Sequence, residues 1–306
     1  MNRARGLEGQ KTGFAVHSNH YRYQRTLARP AEIDGIGYLS GARLRLRFVP
    51  APVSTGVVFV RTDLGPGAMI PARVEHVTGT NRRTTLGNGQ ASVALVEHVL
   101  AALAGMHVDN CYVEINGAEP PGLDGSSNGF VHILREAGIA LQPAQRPIWS
   151  VRYPITVRQQ GATLTLHPAT QPELRISYFL DYGLCAPIDR QVHTRTITPE
   201  SFANEIAACR TFLLEEEALE LRRQGLGVNT RMSDLLIFGK HGPIDNKLRF
   251  ANEPARHKVL DLVGDLSLLG HDIYGHVVAY RSGHPLNIEL VRELAKQLPA
   301  PCFQAA

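Results

Sequence analysis

Apolar and polar positions along this chain change period several times. Short alternating runs come first: Ala42–Pro50 (ARLRLRFVP) and Gly56–Arg61 (GVVFVR) read as strands, with the turn signal Gly65-Pro66-Gly67 behind them. A helical pattern then runs from about Ser92 to Met106, followed by a strand at Cys111–Ile115 and a helix at Ser126–Ala137 that Asp124 or Ser126 could cap. Leu141–Pro147 (LQPAQRP) reads as a linker. Beyond it come strands near Ile155–Gln159, Ala162–His167 and Leu174–Phe179, then helical text from Glu200 to about Gln224. A helix from about Pro254 to Leu269, a strand His276–Tyr280 and a helix Pro285–Gln297 complete the chain. Both halves mix sheets and helices in a similar order. The expected fold is therefore α+β: two similar β-sheet-plus-helix layered domains, over residues 24–143 and 149–300, as an old duplication would leave them.

A length of 306 residues suits two such domains, and 43% hydrophobic with 20% charged residues excludes wholesale disorder, collagen-like repeats and coiled coil. No stretch reaches the roughly 18 consecutive apolar residues of a membrane span, and Met1–Glu8 holds no apolar core of a secretory signal. The net charge of +4 is concentrated at the start, where residues 1–30 carry six basic side chains against Glu8 alone. Residues 1–23 are expected as a basic, mobile arm on a near-neutral body, which is a weak nucleic-acid signal, and no nucleic-acid partner is expected. Cys111, Cys185, Cys209 and Cys302 have neither disulfide-framework nor zinc-ribbon spacing. This points to the reducing cytoplasm, where a metal would have to use His and carboxylate ligands.

Three clusters carry candidate chemistry. Glu97-His98 sits in a helix that is apolar nearly all round (Ala94, Leu95, Val96, Val99, Leu100, Ala101, Ala102, Leu103). Two ionisable groups there cost several kcal/mol unless paired, protonated or bound to metal. A hydrogen-bonded core histidine is the commoner case for any single His. The second Val-Glu-His, at Val74–His76, lies in polar text and is assigned no function. On the later helix His257 and Asp261 are i and i+4, a spacing that suits two ligands of one metal, and Asp265 lies one turn further on. Alone, His-x-x-x-Asp arises often by chance. His284 sits on the turn between the last strand and the last helix, where a helix-capping role is the simpler reading. Together the three clusters supply His98, His257 and Asp261 as ligands with an open fourth position, a carboxylate at Glu97, and a second imidazole with an orienting Asp. Those are the parts of a metal-assisted hydrolase.

Val96-Glu97-His98 followed by Leu-Ala-Ala-Leu-Ala-Gly, then His257-Lys258-x-x-Asp261-x-x-Gly264-Asp265, then Ser282-Gly283-His284-x-x-Asn287, resembles the zinc-dependent UDP-3-O-acyl-N-acetylglucosamine deacetylases of lipid A biosynthesis. Gln24–Leu27, Arg61-Thr62-Asp63, Asp124-Gly125-Ser126, Arg210-Thr211-Phe212 and Leu248-Arg249-Phe250 support the match from about Gln24 to Leu298. The resemblance implies a metal site between the two domains and removal of the N-acetyl group from a UDP-sugar lipid, the committed step toward lipid A. It implies Zn2+ (with Fe2+ the other metal such a site takes) on His98, His257 and Asp261, Glu97 as general base, and His284 oriented by Asp265 as the acid. Thr211 would stabilise the oxyanion, Lys258 would reach the diphosphate, and Phe212 would line the sugar and nucleotide side. A monomer in the cytoplasm, with no integral membrane association, is expected.

The chain departs from the family's usual pattern at Leu39 (usually His), Leu95 (usually Thr), Glu253-Pro254-Ala255-Arg256 and Gly227–Arg231. In the family the last of these adjoins the acyl passage, so the acyl chain preferred stays open. The alternatives are a metal-dependent deacylase acting on another amidated sugar and a non-enzymatic binder on the same fold. A binder has no use for Glu97 and His284 beside three ligands, and no Gly-rich phosphate loop favours a nucleotide-dependent transferase.

Overall fold

The computed structural model describes residues 15–65, 67–227 and 235–298, with side chains from His20 onward. Its helices are α1 (Glu97–Gly105), α2 (Asn128–Ala137), the single turn α3 (Pro199–Ser201), α4 (Glu215–Arg223), α5 (Glu253–Ser267) and α6 (His284–Ala295).

Two five-stranded sheets carry the fold. In the first, Ala31–Ile36, Arg43–Pro50, Cys111–Ile115, Val57–Arg61 and Met69–Pro71 lie side by side in that order. In the second the order is Ile155–Gln159, Ala162–His167, Gly275–Tyr280, Leu174–Leu180 and Gln191–Thr196. Strand directions agree position by position: antiparallel, antiparallel, parallel, antiparallel. Each parallel pair is joined by a crossover that contains a helix, α1 in one half and α5 in the other, and each half then ends in a further helix, α2 or α6. Before that crossover helix each half also inserts a small three-stranded sheet. These are Val77–Gly79, Thr85–Gly87 and Ser92–Val93 in the first half, and Phe212–Leu214, Leu236–Gly239 and Gly242–Pro243 in the second. The similar order read along the chain is thus a shared topology.

Alternation decides which sheet faces are buried. Arg43–Pro50 turns Leu44, Leu46 and Phe48 inward and its arginines outward. The two crossover helices pack directly on each other between the sheets. Gly264 makes that approach possible, since a Cβ there would stand 2.3 Å from the Glu97 carbonyl oxygen. Buried side chains of both halves form one continuous apolar core.

Four expectations change. Leu141–Pro147 is no linker but the middle of a thirteen-residue strand, Ile139–Val151, and part of the supposed arm is its antiparallel partner, Ala15–Leu27. The pattern concealed this strand because its polarity is reversed: Arg22, Gln24 and Thr26 face inward while Tyr21 and Tyr23 are exposed. Arg22 joins Arg146, Asp109 and Asp272 in one ion-pair network, with Arg22 bidentate on Asp109 at 2.6 Å and both arginines 2.6 Å from Asp272. Residues 1–14 of the arm lie outside the described residues. The helix expected from Ser92 begins only at Glu97, because Leu95 takes a left-handed turn (φ 57°). The helical text from Glu200 breaks into α3, a π-turn at Phe202–Ile206, a strand at Phe212–Leu214 and α4. It breaks where Glu253 captures the Arg210 backbone N–H and guanidinium.

Candidate active site

The sequence clusters converge where α1 meets α5 and the start of α6. The left-handed turn at Leu95 puts Glu97 and His98 on the first turn of α1, against α5. Pro254 occupies the first turn of α5, where a missing N–H leaves no intrahelical bond unmade. A second left-handed turn, at Arg281 (φ 54°), leads from the last strand of the second sheet into α6, which opens on His284.

His98, His257 and Asp261 each present a ligand atom, all within 4.8 Å of one another. Asp261 Oδ1 lies 3.3 Å from His257 Nε2 and 3.7 Å from His98 Nε2. His257 Nδ1 donates to the Cys209 carbonyl (3.0 Å), which turns its Nε2 to the centre. Burial, and next to it His257, brings His98 down to about 3, and burial lowers His257 as well, so both imidazoles are neutral and free to ligate. Burial acts to raise Asp261, but His257, Lys258, His284 and His98 around it hold it well below the usual carboxylate range. Its Oδ2 accepts from Lys258 Nζ at 2.8 Å, while Oδ1, aimed at the two imidazoles, is buried without a hydrogen-bond partner. An orphaned carboxylate oxygen facing two neutral imidazoles is a donor set that fits a divalent metal ion.

Glu97 and His284 flank this triad, with 3.8 Å between Glu97 Oε1 and His284 Nε2. Burial lifts the Glu97 carboxyl to about 7, against the pull of His284. Burial depresses His284, yet Asp265, bonded to its Nδ1 at 2.8 Å, brings it up to about 9. Asp265 also accepts from Asn287 Nδ2 (2.9 Å), whose own carbonyl takes the Ser282 hydroxyl.

A cavity of about 300 Å³ opens over this centre. Thr211, Phe212, Lys258 and Tyr182 line it, as does Leu95, the position that departs from the resembled pattern. Thr211 comes from the strand end inserted in the second half, its backbone N–H donating to the Gly125 carbonyl at 2.7 Å. Phe212 meets the His257 ring edge-on at 6.1 Å, and Lys258 Nζ lies 5.4 Å from the centre of the Phe212 ring. All nine residues singled out in the sequence therefore share one site. Val74–His76, the other Val-Glu-His, forms a single helical turn that does not line this cavity. Residues 228–231 of the Gly227–Arg231 segment lie outside the described residues. Sequence reasoning missed Tyr182 and Thr84, a buried residue that touches Glu97, Asp265 and His284 at once. No spacing signal could have marked Thr84, which lies in a polar loop far from all but Glu97.

Residues 24–296 match the model of the LpxC family, UDP-3-O-acyl N-acetylglycosamine deacetylase. The UDP-3-O-acyl-N-acetylglucosamine deacetylase of Trichormus variabilis is 42% identical over 276 residues, 89% of this chain and 98% of that protein. The protein of the same name from Chlamydia felis is 42% identical over 278 residues, 90% of this chain and 98% of its own. That from Solibacter usitatus is 39% identical over 274 residues, 89% of this chain and 91% of its own. With the family pattern spanning both halves, the chain belongs to the UDP-3-O-acyl N-acetylglycosamine deacetylase family.

Proposed function

We propose that this chain hydrolyses the N-acetyl group of UDP-3-O-(3-hydroxyacyl)-N-acetylglucosamine, the committed step of lipid A biosynthesis, using one Zn2+ held by His98, His257 and Asp261. The observation that carries the metal is the buried, unpartnered Asp261 Oδ1 facing two neutral imidazoles. When bound, the metal supplies Lewis acidity to the amide carbonyl and a lowered pKa for water. Glu97 takes a proton from the attacking water; a carboxyl lifted to about 7 is basic enough to hold it near neutral pH. Water oxygen joins the acetyl carbon, the C–N bond breaks, and His284, kept protonated by Asp265, delivers a proton to the departing amine. Acetate and the free amine result. Thr211 donates to the oxygen on which charge develops. Lys258, with one N–H committed to Asp261, has two left for the anionic part of the substrate, and Phe212 with Tyr182 offers faces to sugar and base.

The related names favour the UDP-sugar over another amidated sugar. No described helix is long and apolar enough to cross a membrane. We take the enzyme to act as a monomer in the cytoplasm. Deacetylation of the acylated UDP-sugar and of its non-acylated counterpart, with Glu97→Ala as blank, tests the proposal. Turnover of the acylated sugar, lost in the variant with metal retained, supports it. Turnover of neither by a metal-loaded protein would move the assignment to a different amidated sugar.

A further inference from the structure

Thr84 is fully buried and makes three hydrogen bonds and one further polar contact within the site. Its backbone N–H donates to Glu97 Oε2 at 3.0 Å, and its carbonyl accepts from Val96 N–H at 3.3 Å, just ahead of α1. Its hydroxyl donates to Asp265 Oδ1 at 2.6 Å and lies 3.3 Å from His284 Nδ1. Each carboxylate thus has one oxygen anchored to Thr84 and the other turned to the reaction: Glu97 Oε1 toward His284 Nε2, and Asp265 Oδ2 toward His284 Nδ1. His284, charged and already donating from Nδ1 to Asp265 Oδ2, has no lone pair there to offer, so the hydroxyl's one proton goes to Asp265 Oδ1; for the Nδ1 proton, Asp265 Oδ2 at 2.8 Å stays a nearer acceptor than Thr84 Oγ1 at 3.3 Å.

We infer that Thr84 is the positioning residue that sets the distance between Glu97 and His284, acting through its hydroxyl on Asp265 while its backbone holds Glu97. It touches neither the metal ligands' donor atoms nor the mouth of the cavity. Its loss therefore acts on the chemical step and leaves substrate binding and metal content alone. Groups that orient a site's primary residues are worth about 10- to 100-fold in activity.

The inference rests on the roles proposed above for Asp265 and His284, and the test separates the two. Four full-length proteins are compared for kcat, KM and bound metal: wild type, Thr84→Val, Thr84→Ser and Asp265→Asn, together with the double variant Thr84→Val/Asp265→Asn. Valine keeps the shape and removes the hydroxyl; serine keeps the hydroxyl and removes a methyl. The expected result is a kcat about 10- to 100-fold lower in Thr84→Val with KM and metal unchanged, and recovery to within about threefold of wild type in Thr84→Ser. In the Asp265→Asn background the valine substitution should cost less than about threefold, because its partner is already altered. Wild-type kcat in Thr84→Val, equal losses in the serine and valine variants, or a change confined to KM would each overturn the role of Thr84. Should Thr84→Val fail to fold, the serine variant decides alone, since a tenfold loss with the hydroxyl present contradicts the inference. Full activity of Asp265→Asn would instead overturn the proposed role of Asp265.

Discussion

The three histidines of this site are equally buried and differ in charge because their neighbours differ. His98 and His257 are neutral because burial disfavours their charge and Lys258 adds to it, with His257 acting further on His98, whereas His284, equally buried, is charged because Asp265 lies 2.8 Å from its Nδ1. The same residue type therefore divides into neutral and charged imidazoles by environment alone. Asp261→Ala should purify with most of its metal missing, because the orphaned Oδ1 is gone. His284→Ala should keep its metal and slow turnover by about 10²- to 10⁴-fold, the usual span for a positioned acid. Metal analysis beside kcat distinguishes them, and metal loss in His284→Ala would make His284 a ligand. The identities of these residues were legible because an apolar helix cannot carry Glu97-His98 or His257, Asp261 and Asp265 without a reason. Thr84 was illegible because a threonine in a polar loop needs no reason.

Among the elements, α1 and α5 matter most, since each brings part of the site and their separation sets its size. Gly264 lies where the α5 backbone closely approaches that of α1, and Arg210 with Glu253 ties the Cys209–Thr211 segment to the start of α5. That tie places the Cys209 carbonyl that orients His257 and brings Thr211 to the cavity. Gly264→Ala would drive a methyl into the Glu97 carbonyl, which as backbone cannot swing aside. We expect a loss of about 1–3 kcal/mol, the range for overpacking a tight interface, together with reduced metal occupancy. Thermal unfolding and metal analysis check it; an unchanged midpoint with full metal would show that the helices can part freely. Helix boundaries in the sequence were right to within a few residues for α2, α5 and α6. They were wrong at α1 and over Glu200–Gln224, where Leu95 and the Arg210–Glu253 pair override local propensity.

Over the whole molecule, two halves of one topology are joined by more than the helix pair. Arg22 and Arg146, on the two long paired strands, grip Asp109 just beyond α1 and Asp272 just beyond α5. Both aspartates follow the C-terminal ends of the two helices that bring His98, His257 and Asp261 together. Asp109 is nearly inaccessible (3% exposed side chain), so Asp109→Ala leaves two arginines short of a partner and should destabilise by about 3–5 kcal/mol, read by denaturant unfolding. Burial acts to raise Asp272, but Arg146 and Arg22 hold it well below the usual carboxylate range. A folded value below the unfolded one means the stabilisation is complete above about pH 4 and is lost as the pH falls further. The unfolding midpoint should therefore drop below about pH 4, less steeply in Asp272→Asn; identical slopes would assign the acid sensitivity to other groups.

Which residues are candidates for the chemistry was determined by the sequence alone, because a buried charge must find a partner and the apolar surroundings of Glu97, His98, His257, Asp261 and Asp265 already declare burial. The similar order of the two halves was legible for the same kind of reason, since alternation and helical period are local. Only the tertiary structure decided what those charges would partner. The 3.8 Å between Glu97 and His284, the place of Thr84 between them, and the inward-facing Arg22 on an otherwise unpromising strand are products of contacts up to 250 residues apart. Such contacts leave no period in the chain. Polar groups that bury one another look, read locally, the same as polar groups that face water.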